Sequence, residues 1–171
     1  MAAVKNEFLQ ENELVTVSRD LKSEGVTRSE EYLKLCIMEV KEGKRIVFAA
    51  KTEEKTTAGI SHLLLTSKYP GFREENIPEI NDLIVVTKQR GEGIGAKLLY
   101  AQEEYAKDQG FHSIGLCVGL YGDFGPAQRL YAKSGYIPDG KGVVYDYQPA
   151  APGEMVRLDD ELNLCLIKFL R

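Results

Sequence analysis

Apolar and polar positions recur with two different periods along this chain, and the switches between them mark out its elements. From Glu13 to Leu21 (Glu13-Leu14-Val15-Thr16-Val17-Ser18-Arg19-Asp20-Leu21) the pattern fits a strand or a helix, and Gly25 would suit a helix end. Thr27-Arg28-Ser29-Glu30 resembles a capping box. Tyr32, Leu33, Leu35, Cys36, Met38 and Val40 follow at helical spacing until Gly43. Two β-compatible runs, Arg45 to Ala50 and Ala58 to Leu65, flank a polar stretch and predict a hairpin. Thr66 to Asn76 predicts a mobile loop carrying Tyr69 and Phe72 and turned by Pro70 and Gly71.

A third strand is predicted from Glu79 to Val86, directly after Pro78. A glycine-rich turn then leads into a helix whose apolar stripe is Ile94, Leu98, Ala101 and Tyr105, with Gly110 as its stop. His112 to Leu120 predicts a strand with Ile114, Leu116, Val118 and Leu120 on one face and Gly115, Cys117 and Gly119 on the other. Such a small face predicts close approach of a ligand or of another backbone. Asp123 or Gly125 caps a short helix with Pro126 near its start and Gly135 at its end. The β-like runs Gly142 to Tyr147 and Glu161 to Phe169 close the chain. Helices and strands alternate irregularly, so the class is mixed α and β (α+β).

Composition narrows the reading. The chain has 171 residues, 43% of them hydrophobic, which predicts one domain over 1–171, and its net charge of -4 is too small for disorder. The longest apolar run, Ile46 to Ala50, is far shorter than the ~20 residues of a membrane span. The first residues show no basic segment followed by an apolar one, so no secretory signal is predicted. The acidic balance argues against nucleic acid as the main partner. Cys36, Cys117 and Cys165 have no CxxC spacing and predict three reduced, buried thiols in a cytoplasmic protein. His62 and His112 stand alone, which predicts structural roles and no metal site.

The chemistry concentrates in Leu83-Ile84-Val85-Val86-Thr87-Lys88-Gln89-Arg90-Gly91-Glu92-Gly93-Ile94-Gly95-Ala96. Strand, polar connector, glycine turn and helix together make an anion seat, because a helix start has unpaired N–H groups and glycines let a phosphate approach them. Lys88, Arg90 and Lys97 add positive charge, and Glu92 opposes it. Gly91, Gly93 and Ala96 also satisfy the dinucleotide fingerprint literally. Against that template, Thr87 to Arg90 separate the strand from its first glycine, and the strand that follows does not end on an acidic residue. Too little sequence follows the turn for a doubly wound sheet.

Arg90-Gly91-Glu92-Gly93-Ile94-Gly95 resembles the Arg/Gln-x-x-Gly-x-Gly/Ala motif of the GNAT superfamily of acyl-CoA N-acyltransferases. Ala127-Gln128-Arg129-Leu130-Tyr131-Ala132-Lys133-Ser134-Gly135-Tyr136 resembles the same family's A-x-x-L-Y-x-x-x-G-[FY] helix. The resemblance implies a GNAT-like fold: a central, mostly antiparallel sheet of about six to seven strands with a V-shaped splay between the two central ones, flanked by helices. It implies acetyl-CoA as cofactor and transfer of an acetyl group to a primary amine by direct attack in a ternary complex.

Carried over residue by residue, the resemblance puts the cofactor pyrophosphate on Arg90, Gly91, Glu92, Gly93, Ile94, Gly95 and Ala96, and its pantetheine arm along Leu83, Ile84 and Val85. Tyr131 matches the family's frequent general acid, and a phenol of pKa ~10 is near enough to a thiol of pKa ~8.5 for the role. Ala127 belongs to the same helix motif. Phe124 stands where many members carry Asn, and would pack on the cofactor instead. The base is left open between Glu79, Asp82 and none, with Glu79 at the family's usual place.

The acceptor is a small-molecule or peptidyl amine, expected between the loop at 66–78 and the segment at 136–150. Glu74, Glu75, Glu79 and Asp82, opposed only by Arg73, would favour a cation there. Tyr69, Phe72, Tyr145 and Tyr147 are candidate aromatic walls. A homodimer is left open. Two other classes stay as alternatives: a non-catalytic CoA-binding sensor or scaffold, and a nicotinamide-dependent oxidoreductase.

Overall fold

A computed structural model describes residues 4–171. In chain order the elements are β1 (Lys5–Phe8), α1 (Leu14–Ser23), α2 (Glu30–Lys41), β2 (Arg45–Lys51), β3 (Thr57–Leu64), α3 (Pro70–Arg73) and β4 (Glu79–Val85). There follow α4 (Ile94–Asp108), β5 (Ser113–Gly119), α5 (Gly125–Lys133), β6 (Ile137–Tyr145), β7 (Gln148–Pro149) and β8 (Leu162–Phe169). The class is α+β, as the pattern predicts, with eight described strands instead of six or seven. The hydrophobic pattern marks neither β1 nor the two-residue β7.

Four of the helices end by one device. Gly25, Gly43, Gly110 and Gly135 all have positive φ, between 69° and 89°. In each case the next residue's N–H reaches back to the carbonyl five positions earlier: Val26 to Leu21, Lys44 to Glu39, Phe111 to Ala106 and Tyr136 to Tyr131, at 2.9–3.0 Å. This is the Schellman closure, which needs a left-handed residue just past the helix. The ambiguous segment at 13–21 resolves as a helix because Leu14, Val17 and Leu21 form one buried stripe. The cap of α2 is Ser29, whose hydroxyl accepts from the Tyr32 N–H at 3.1 Å.

The chain divides into two compact units. The first comprises the described residues up to Leu65 together with Asn81–Glu104. Its strands run in the order β1-β2-β3-β4, and its core joins α1 and α2 (Val17, Leu21, Leu33, Ile37) to β2 and β3 (Val47, Ala49, Ile60). Gly59 of β3 is required there. A Cβ would lie 2.5 Å from the Ile84 carbonyl oxygen, so the two backbones approach more closely than any other residue allows.

The second unit comprises Thr66–Ile80 and Tyr105–Arg171, with strand order β4-β5-β8-β6-β7. The start of β4 pairs parallel with β5 at Glu79↔Gly115 and Ile80↔Leu116, whereas β5, β8, β6 and β7 are antiparallel neighbours. Tyr69, Phe72, Ile77, Val144 and Cys165 form its core. The expected mobile loop is therefore a helical turn whose two aromatic rings are buried, Tyr69 at 3% and Phe72 at 1% exposure. These two rings are core and not acceptor walls.

The thiols also depart from expectation. Cys117 and Cys165 form a disulfide, and only Cys36 is free and buried. The reason is register: β5 and β8 set the two residues directly opposite, with Cα atoms 4.0 Å apart, although 48 positions separate them in the chain. Linear spacing carries no trace of this. The cytoplasmic expectation rested on reduced thiols and loses that support. No described helix is long and apolar enough to cross a membrane.

Candidate functional site

In the first unit the glycine turn is assembled almost wholly from backbone. β4 ends at Val85, and a 3-10 turn over Thr87–Gln89 brings the chain to Gly91 (φ 86°) and Gly93 (φ 77°). The Gly93 carbonyl accepts the Lys97 N–H at 3.1 Å and so starts α4, leaving the N–H groups of the helix's first turn without helical partners. The Arg90 Nε donates to the Val85 carbonyl at 3.1 Å and braces the turn. A Cβ built on Gly91 or Gly93 would meet nothing within 4 Å. The space above these amides is open, and the positive end of the α4 dipole points into it. Lys88 contributes less charge than the sequence suggests, because its ammonium is paired with Glu24 at 2.8 Å. Leu83, Ile84 and Val85 are half-buried.

Asp82 in the same unit is fully engaged. Its φ of 51° is left-handed, so β4 carries an irregularity there that interrupts strict alternation. The Arg28 guanidinium grips both carboxylate oxygens, through Nε at 2.7 Å and through a short Nη2 contact, and the Tyr32 hydroxyl lies 3.4 Å away. His62, with no exposed surface, stands with Nε2 3.8 Å from Asp82 Oδ2. Arg45 can only donate, so its 2.7 Å bond to His62 Nδ1 makes that nitrogen the acceptor and leaves the ring proton on Nε2. Nε2 has no hydrogen-bond partner.

Burial drives the His62 pKa down to about 4, against the pull of Asp82, so the ring is neutral at neutral pH. Burial pushes the Asp82 carboxyl up, but the hydrogen bond and charge of Arg28, with His62 and Tyr32, outweigh it and hold the group below the usual carboxylate range. A carboxylate so held is a poor proton acceptor, and the geometry argues against Asp82 as the base.

In the second unit Glu79 and Tyr131 are both buried. Glu79, 1% exposed, accepts a 2.6 Å hydrogen bond from the Ser67 hydroxyl. Tyr131 lies on α5, which Gln128 ties to β5 through a 2.7 Å bond to the Gly119 carbonyl. The Schellman closure of α5 puts Tyr136 against Tyr131, with ring centroids 6.1 Å apart. The L-Y-x-x-x-G-Y pattern thus has a physical basis: Gly135 supplies the left-handed turn, and Tyr136 folds back onto Tyr131. Burial alone pushes the Tyr131 phenol up to about 12, so it keeps its proton throughout the neutral range.

The small face of β5 does not admit a ligand at its glycines. A Cβ on Gly115 would sit 2.6 Å from the Phe72 ring, and one on Gly119 would meet the Phe124 ring closer still. Between them Cys117 is spent on the disulfide. The face is small because rings of the same unit fill it, where the pattern predicts close approach of a ligand or of another backbone. Phe124 packs on Gly119 and, edge-on, against Tyr121 at 5.0 Å, while Ala127 is half-buried on α5.

The acidic surplus expected near the acceptor is also smaller than it looked. Arg28 neutralises Asp82, and Lys141 pairs with Glu75 at 2.6 Å. Lys141 also donates to the Gly71 carbonyl, and the Tyr69 hydroxyl donates to Asp139. The loop at 66–78 and the segment at 136–150 are therefore bonded to each other at these points. Ser67, Arg28, His62 and Lys141 were invisible as site residues because their partners lie 12 to 70 positions away.

The comparisons agree with this architecture. The model of the acetyltransferase (GNAT) family matches residues 11–136, and the chain belongs to that family of acetyl-CoA-dependent acyltransferases. Among curated proteins none matches the chain. Similar solved structures include the spermidine N-acetyltransferase of Vibrio cholerae in complex with CoA and spermine, at 14% identity and TM-score 0.69, covering 98% of this chain and 95% of that one. An N-acetyltransferase of Staphylococcus aureus Mu50 superposes with TM-score 0.73 at 13% identity, covering 99% and 100%. A GNAT-family acetyltransferase of the same organism gives 0.63 at 18% identity, again covering 99% and 100%. At these identities the likeness concerns the fold. Family membership sets aside the oxidoreductase alternative.

Proposed function

We propose that this acetyltransferase moves an acetyl group from acetyl-CoA to the primary amine of a small molecule or peptide, by direct attack within a ternary complex. The observation that carries the reading is the bare glycine turn: left-handed Gly91 and Gly93, open space above them, and the unpaired amides of α4 behind. Arg90 to Ala96 hold the pyrophosphate, and the half-buried backbone from Leu83 to Val85 pairs with the pantetheine arm. Phe124 and Ala127 line the cofactor from the start of α5.

Acetyl-CoA supplies an acyl thioester. Attack by a neutral amine forms the C–N bond, and the C–S bond breaks to give a thiolate. Tyr131 holds a proton at its Oη for that thiolate, and its raised pKa makes it a hydrogen-bond donor more than a full proton donor. Glu79 takes the proton that the ammonium must lose. Because it is buried, it acts through water. The grip of the Arg28 guanidinium on Asp82 is what favours Glu79 over Asp82 as the base.

The test is calorimetric titration with acetyl-CoA, with NAD as control, followed by turnover on a panel of primary amines. The similarity to a spermidine N-acetyltransferase is the reason polyamines head that panel, ahead of amino acids, lysine peptides and aminoglycosides. Micromolar acetyl-CoA binding with acetylation of one amine class is the expected result. Binding without turnover on any amine would favour the sensor or scaffold alternative. Binding of NAD alone would overturn the assignment of the turn.

A further inference from the structure

Helix α5 carries Tyr131, yet little else of the helix is buried. Tyr131 is its buried residue, and Phe124, which precedes it, makes no side-chain cap. Burial alone raises the Tyr131 phenol, so the placement of the helix is what aims its hydroxyl. The C-terminal end of α5 runs into Tyr136, which is 3% exposed and lies under the Lys168 ammonium of β8, 5.7 Å from the ring centroid. Nearer its start, the half-buried Gln128 donates from Nε2 to the Gly119 carbonyl at 2.7 Å and ties the helix to the end of β5. Gly119 is a fixed point. It closes β5, pairs with Asn163 of β8, and lies two residues from the Cys117–Cys165 bond. Gln128 and Tyr131 are three positions apart, on one face of α5.

We propose that Gln128 is a positioning residue for Tyr131, holding the start of α5 on the end of β5 so that the phenol meets the departing thiolate. The inference rests on the reading of Tyr131 as the acid. A carbonyl can only accept, so the Gln128 carboxamide must present its nitrogen, and the bond fixes both the side chain and the turn that bears it. The tie matters because α5 has only 9 residues. A helix of that length is marginal by itself and depends on what it is packed and bonded against. Proton donation needs the hydroxyl within hydrogen-bond reach of the sulfur, and displacing a reacting group by about 1 Å can cost on the order of 100-fold in rate.

The test is a double-mutant cycle on the full chain, joined to amide hydrogen exchange over residues 129–134. Gln128→Met keeps the shape and the helix propensity and removes the donor. It should speed exchange in α5 about fivefold, the worth of one neutral hydrogen bond. It should lower kcat by a similar factor, measured with acetyl-CoA and spermidine or whichever amine the panel identifies, while acetyl-CoA affinity stays near wild type. In the Tyr131→Phe background the same substitution should leave kcat unchanged, because the group it positions is gone. Gln128→Glu, an isostere whose carboxylate faces the carbonyl, should lower kcat further than Gln128→Met. Equal losses of kcat in both backgrounds, no loss in the wild-type background, or unchanged exchange would each overturn the proposal. Should Gln128→Met fail to fold, Gln128→Glu takes its place in the cycle. Full turnover in Tyr131→Phe would remove the acid assignment and the proposal with it. Faster exchange in Gln128→Met would then show that the tie holds the helix and that the reading of Tyr131 was at fault.

Discussion

Two glycine-bearing surfaces invite the same interpretation and deserve opposite ones. On the turn before α4, Gly91 and Gly93 are left-handed and nothing lies above them. On β5, Gly115 and Gly119 are each pressed against an aromatic ring, and Cys117 between them is cross-linked to β8. A missing Cβ can make room for a ligand or for the protein's own core, and the sequence cannot distinguish these. What distinguishes them is whether a ring of the protein has already taken the space.

The largest expected effect concerns the filled face. Reducing the Cys117–Cys165 bond, or replacing both residues by Ser, should lower stability by about 4 kcal/mol from the loop it closes, read as a shift in the urea midpoint. Acetyl-CoA affinity of the folded protein should stay the same. An affinity loss larger than the stability loss explains would mean that this face serves the cofactor after all.

The first unit lacks a disulfide among its described residues and leans on its buried polar network, so acid should find it instead. His62 has its folded pKa depressed from 6.5 to about 4. The unfolded chain therefore binds the extra proton in that window, and stability should fall by about 3 kcal/mol as pH drops from 6.5 to 4. Asp82 adds a further loss only below that range, since its own pKa is held down. Urea midpoints across this window in wild type and His62→Gln check the slope, which the neutral amide should flatten.

Gly93→Val should weaken acetyl-CoA binding by about a hundredfold, near 2.7 kcal/mol, by filling the open space and straining a positive φ. Titration of a variant that melts within several degrees of wild type provides the reading; undiminished affinity would move the cofactor off the turn. Gly115→Ala should do the reverse, costing about 2 kcal/mol of stability through the Phe72 ring with little change in affinity. Tyr131→Phe is the smallest change in structure, and it should lower kcat about tenfold while leaving acetyl-CoA affinity near wild type.

Much of the local structure was legible from residue type alone. Gly25, Gly43, Gly110 and Gly135 each terminate the helix they were read to terminate, because a left-handed position just past a helix is a local steric requirement. The glycine turn was legible for the same reason: strand, turn and helix are contiguous. The loop at 66–78 was misread because polar residues outnumber its two rings, and burial of Tyr69 and Phe72 depends on β5 and β6.

The sequence by itself determined the α+β class, the helix ends and the glycine turn at the start of α4, with the ends and the turn set by interactions within a few residues. Only the tertiary structure decided that Cys117 meets Cys165, that Phe72 fills the small face of β5 at Gly115, and that Arg28 claims Asp82 while Ser67 bonds Glu79. Those pairings follow from strand register and the packing of side chains distant in the chain. Neither quantity has a signature in the order of residues along a single strand or helix.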